Sequence, residues 1–113
     1  MTQSALKLPP LLAIGLDTET TGLHVDKGDR VIEFCGRAYD IRSQKLLIDV
    51  TRRFSNQGKD INKKAQEVHG ISAADLIGKP NFSTFAPALS KIFEKVKIGV
   101  AHNAEFDFKF LAH

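Results

Sequence analysis

The run Leu11-Leu12-Ala13-Ile14-Gly15-Leu16-Asp17-Thr18-Glu19-Thr20-Thr21-Gly22 decides how this chain is read. It opens as an almost unbroken apolar stretch, the pattern of a strand covered on both faces, and then places two carboxylates with one residue between them. Strand side chains alternate, so Asp17 and Glu19 project from the same face. Two acids side by side repel each other and are costly to desolvate unless one takes a proton or a cation sits between them. A divalent-metal site at Asp17 and Glu19 is therefore the first expectation. Gly22 suits a tight turn with positive φ directly after it.

Working outward, residues 1–10 are polar and end in Pro9-Pro10, which predicts a flexible lead-in. The apolar residues 8–16 are broken by those prolines, run straight into Asp17 and lack a small-residue cleavage pattern, so neither a signal peptide nor a membrane span is expected. The remaining residues, 11–113, have the length of one domain with a modest core. Apolar residues make up 42% and charged residues 26%, which argues against a disordered chain. A net charge of +3 permits a polyanionic partner without requiring one, and more so if several acids are committed to metal. The single cysteine, Cys35, excludes an internal disulfide and a cysteine-based metal site, reads as a small buried hydrophobe, and suggests a cytoplasmic protein.

After the opening strand, residues 25–30 read as a charged loop with its tip at Lys27-Gly28-Asp29-Arg30. Residues 31–40 and 45–54 are rich in Val, Ile, Phe and Tyr and are joined by residues 41–44, which predicts an antiparallel hairpin and, with the first strand, a three-stranded meander. Leu46, Ile48 and Val50 alternate with Leu47, Asp49 and Thr51, so one face is expected to be solvated. Arg52 and Arg53 read as solvated edge charges. A short helix over 62–68 is stopped at His69-Gly70, and Ser72-Ala73-Ala74-Asp75 has the form of a capped helix start. The lysines between 59 and 64 read as a solvated face able to track a phosphate backbone. An amphipathic helix is expected over 82–96, with Phe85, Leu89, Ile92, Phe93 and Val96 on one stripe and Pro87 in conflict unless it sits in the first turn. Residues 97–101 then form a strand whose helical connection implies a parallel partner, naturally the first strand. The segment from His102 reads as a helix on which Asn103 and Asp107 share one face and Phe106 and Phe110 another. If that helix starts beside the end of the first strand, Asp107 completes a three-carboxylate cluster whose hard oxygens suit Mg²⁺ or Mn²⁺.

Asp17-Thr18-Glu19-Thr20-Thr21-Gly22, Val68-His69-Gly70-Ile71 and His102-Asn103-Ala104-Glu105-Phe106-Asp107 resemble, in that order, motifs of the DEDD family of 3′–5′ exonucleases, in particular its proofreading branch in bacterial DNA replication. The resemblance covers about residues 11–112. It implies an α/β, ribonuclease-H-like mixed sheet, three antiparallel strands plus a parallel one, two divalent metals and hydrolysis of 3′-terminal phosphodiesters, with single-stranded DNA the favoured substrate and a DNA polymerase a possible partner. Asp17, Glu19 and Asp107 match catalytic metal ligands, Glu19 touching both ions. Thr20 and Leu23 would lie along the terminal nucleotide, Val68 and His69 near the last base, and Asn103 beside the 3′ strand. His102 belongs to the second motif and does not match the family's general base. The family's third motif, a His or Tyr followed by a fourth Asp, would fall beyond His113. On the sequence as it stands, impaired catalysis is expected, together with self-association or strand exchange through an exposed edge at 97–101 and the apolar residues Phe106, Phe108, Phe110 and Leu111. The competing reading is a non-catalytic module of the same fold that binds nucleotides, nucleic-acid ends or a polymerase.

Overall fold

The computed structural model describes residues 10–101 and 110–111, arranged as a four-stranded mixed sheet with helices against one face. Strand β1 (Leu12–Thr20) is antiparallel to β2 (Val31–Asp40), which is antiparallel to β3 (Lys45–Arg53), and β4 (Val96–Ala101) joins the other side of β1 in parallel, giving the order β3-β2-β1-β4. The meander and the parallel fourth strand stand as the sequence implies. β4 follows the helix α2 (Ala86–Lys95), the connection a parallel neighbour requires.

Burial along β1 is alternating rather than continuous. Leu12, Ile14, Leu16, Thr18 and Thr20 are buried, whereas Gly15 and Asp17 are exposed and Ala13 and Glu19 intermediate. The expectation of a strand covered on both faces is therefore corrected. The run looks continuous only because the open-face positions before Asp17 hold Ala13 and Gly15, small residues that a half-open sheet tolerates. The buried face carries the core: Ile14, Leu16, Phe34, Ala38 and Phe54 pack with Leu89 of α2 and with Phe110. Four aromatic rings form a cluster there, with Phe34–Phe85 and Phe54–Phe85 centroids 5.6 Å apart and Phe54–Phe82 edge-on at 5.1 Å. Phe110 is 3% exposed, so it adds nothing to the surface patch expected of it.

The helix expected over 82–96 is shorter and broken. Phe82–Thr84 is a 3-10 turn, the α-helix starts at Ala86, and Val96 already belongs to β4. Pro87 is the cause: lacking an N–H, it fits only the first turn, so α2 begins just before it. The short helix α1 (Lys63–His69) starts and ends one residue later than the expected 62–68: Asn62 is its cap, accepting from the N–H groups of Lys64 and Ala65, and Gly70 closes it as expected at φ +70°. Ser72 and Asp75 form a reciprocal capping box, on a 3-10 turn of four residues. A second small cluster, Ile32, Ile71 and Leu76, packs these segments against β2, where a register shift opposite Glu19 and Thr20 frees Ile32 from the main core.

Candidate active site

The open face of the sheet is a grid of cross-strand rows. Glu19 lies opposite Glu33, which lies opposite Arg53; Asp17 lies opposite Cys35, which lies opposite Thr51; Gly15 lies opposite Arg37, which lies opposite Asp49. Asp17 and Glu19 share this face, as the period of two requires. Their neighbours make it acidic on the β1 side. Burial pushes the Cys35 thiol up from its ordinary value, the hydrogen bond donated by the Thr51 hydroxyl works against that rise, and the carboxylates of Glu33, Asp17 and Glu19 add to it. Cys35 is thus half-buried on the open face, not in the core as expected, because Phe34 and Gly36 on either side take the inward positions.

The chain leaves β1 through a loop held by one buried carboxylate. Asp29, 8% exposed, accepts from the Thr21 hydroxyl at 2.9 Å and from the His24 N–H at 3.0 Å, while the same Thr21 oxygen accepts from the Arg30 N–H. The sequence reads Asp29 as part of the tip of a charged loop. It is instead the internal anchor of the loop that follows Glu19. Gly22 is glycine for the same reason: its φ is not positive, but a Cβ there would come within 2.8 Å of the Asp29 carboxyl carbon. Two further segments fasten the end of β1. The Asn62 N–H donates to the Thr21 carbonyl, and the His69 ring bridges from α1. His69 Nδ1 accepts from the Ile71 N–H at 3.0 Å, which leaves its proton on Nε2, 3.1 Å from the Thr20 carbonyl it donates to.

Of the positions matched to substrate contacts, Thr20 is buried and its hydroxyl donates to the Gly22 carbonyl at 2.7 Å. Leu23 is 70% and Val68 84% exposed, far more than large apolar side chains need be. Leu23 borders a cleft of about 350 Å³ in which Lys27 and Lys59 are balanced by Asp29 and Asp60. Asn103, His102 and Asp107 lie outside the described residues. Among the described residues no three acids, histidines or cysteines converge as a metal cluster. What is present, two hard carboxylates on one face with Asp17 open to water, fits a Mg²⁺ or Mn²⁺ ion that keeps several waters, and lacks the nitrogen or sulfur donors zinc prefers.

Residues 14–113 match the family model described as exonuclease, RNase_T. The chain belongs to this exonuclease family. Among curated members, the DNA polymerase III subunit epsilon of Rickettsia typhi is 38% identical over 103 residues, covering 91% of this chain and 44% of that protein. The chain thus spans less than half the length of that relative. Among solved structures, product-bound exonuclease I superposes with a TM-score of 0.76 at 20% identity, over 90% of this chain and 24% of that one, a likeness of fold. Exonuclease X in complex with 5′-overhanging duplex DNA gives 0.65 at 25% identity, over 84% and 51%. The mixed sheet is therefore the ribonuclease-H-like sheet of these exonucleases. Asp17 and Glu19 stand near the end of its first strand. Thr21, Asp29 and Asn62 are the residues that sequence reasoning missed. Only the Thr-Thr-Gly after Glu19 hinted that the loop had a fixed shape.

Proposed function

We propose that this chain forms, as one domain over 11–113, the first part of a 3′–5′ exonuclease site acting on nucleic-acid ends, single-stranded DNA above all. The observation that carries the reading is the placement of Asp17 and Glu19 on one open face at the end of β1, in a chain of the exonuclease family. Asp17 and Glu19, with Asp107, hold Mg²⁺ or Mn²⁺, two ions in the complete site. The chemistry such ions supply when bound is Lewis-acid stabilisation of charge on the phosphodiester. The chain's own part is to keep the two carboxylates parallel and the strand end rigid. Exposed Leu23 and Val68 offer apolar surface to the terminal nucleotide, Asn103 steadies the 3′ strand, and Thr20 and His69 act through the backbone they fix.

Partners follow the relatives' names. A DNA polymerase is proposed because the curated relative is a polymerase subunit, and a cytoplasmic setting goes with it. Among the described residues no helix is long and apolar enough to cross a membrane. β4 is the outer strand of the described sheet, and self-association through it is open to a sedimentation measurement.

The reading is tested with single-stranded DNA labelled at its 3′ end. Release of mononucleotides that is slow, requires Mg²⁺ or Mn²⁺, stops when the 3′ end is blocked and is lost in Asp17→Asn is expected, the rate impaired as the sequence implies. Metal-independent release, or equal release by Asp17→Asn, overturns it. Metal-dependent retention of the DNA without cleavage selects the non-catalytic module instead.

A further inference from the structure

Glu19 faces another acid across the β1–β2 ladder, because its register partner is Glu33. Like charges directly opposite in an antiparallel pair are destabilising. Both belong to the open face. Glu33 is engaged from the other side, however: its partner on β3 is Arg53, whose Nε donates to Glu33 Oε2 at 2.9 Å. The Glu33 side chain is only 18% exposed and that of Arg53 42%, so water screens this pair less than an ordinary surface pair. Arg37, on β2, offers a contrast. Arg37 meets Asp49 at a longer 3.3 Å with both side chains more than half exposed, two rows from Glu19.

We propose that Arg53 is a positioning residue for the acid pair: by holding the Glu33 carboxylate toward β3 it keeps a third strand acid out of the space in front of Asp17 and Glu19. The inference rests on the proposal that Asp17 and Glu19 hold a divalent ion. An arginine suits the task because its rigid fork fixes the carboxylate in direction as well as offsetting its charge. With Arg53 removed, Glu33 keeps only the weak contact from the Cys35 thiol at 3.9 Å, and its partly buried carboxylate is left to repel Glu19 or to ligate the ion. A site with an extra flexible carboxylate binds metal more tightly and orients it less well.

The test is a Mn²⁺ titration of the chain, followed by calorimetry, for wild type, Arg53→Gln, Glu33→Gln and the double variant. Arg53→Gln is expected to tighten Mn²⁺ binding about three- to tenfold, Glu33→Gln to change it less than about twofold, and the double variant to return within about twofold of wild type. Arg53→Met, which keeps the aliphatic stem, reports the same change should Gln disturb the strand. Unchanged affinity in Arg53→Gln, or equal and opposite effects of the two single substitutions, overturns the proposal, the second because Arg53 would then act only as a distant charge. A metal-free arm separates this inference from the metal reading. With chelator present, Glu19→Gln should raise the thermal midpoint of Arg53→Gln more than that of wild type. Equal shifts overturn the positioning role, whereas wild type that binds no Mn²⁺ yet shows the unequal shifts overturns the metal reading and leaves Arg53 restraining Glu33.

Discussion

Asp17 and Glu19 could be read directly from the sequence because a strand has a period of two and needs nothing from the rest of the chain to place alternate residues on one face. Asp29 could not, because its role is made across eight residues by a threonine hydroxyl and a backbone N–H that no local pattern connects to it. Its carboxylate is nevertheless what fixes the loop behind Glu19. Removing it in Asp29→Ala leaves the Thr21 hydroxyl, fully buried, and the His24 N–H without their acceptor, a loss of about 1–3 kcal/mol. Gly22→Ala drives a methyl group into the same carboxylate and should cost about as much. Urea unfolding of both variants checks this. A midpoint unchanged in either one would mean that the loop is held by something other than Asp29.

At the level of elements, ends were more legible than extents. Gly70 and the Ser72–Asp75 pair cap what they were expected to cap, because each acts within three or four residues, whereas Asn62, read as the first residue of its helix, is instead its cap. The second helix was drawn too long because its apolar stripe runs on through Val96, whereas Pro87 and the pull of β4 on Val96 set its ends. Two exposed carboxylates tie such local elements to pH. The Ser43 hydroxyl, with backbone N–H groups of Leu11, Arg42 and Ser43, holds Asp40 below its ordinary value, and the backbone and hydroxyl of Ser72 do the same for Asp75. A carboxyl depressed in the folded state stabilises it fully above the unfolded value and loses that contribution as pH falls through the folded value. Stability should therefore decline below about pH 4, and less so in Asp40→Asn and Asp75→Asn, where no proton is taken up. Urea midpoints at pH 7, 4 and 3 measure it. Parallel declines in all three proteins would show that other groups govern the acid limb.

The whole molecule is a sheet with two unlike faces, and this division was partly hidden in the sequence because Ala13 and Gly15 make the open face of β1 look apolar. One face holds the aromatic cluster and the buried aliphatics, where loss of volume at Phe34 would remove about 3–5 kcal/mol of a total near 5–15. The other carries Asp17 and Glu19 on one strand with Glu33 as the cross-strand partner of Glu19, like charges that work against the fold wherever no cation offsets them. Asp17→Asn should accordingly be as stable as wild type or more so in chelator, by up to about 1 kcal/mol or a few degrees in Tm, because it relieves repulsion at no loss of core packing. Mn²⁺ should reverse that order. An ion that binds only the folded chain adds about 2.7 kcal/mol at a hundred times its dissociation constant, and wild type gains this where Asp17→Asn does not. Thermal unfolding of the two proteins with chelator and with Mn²⁺ decides the matter. If Mn²⁺ raised both midpoints equally, the ion would be binding somewhere other than the face that Asp17 and Glu19 share.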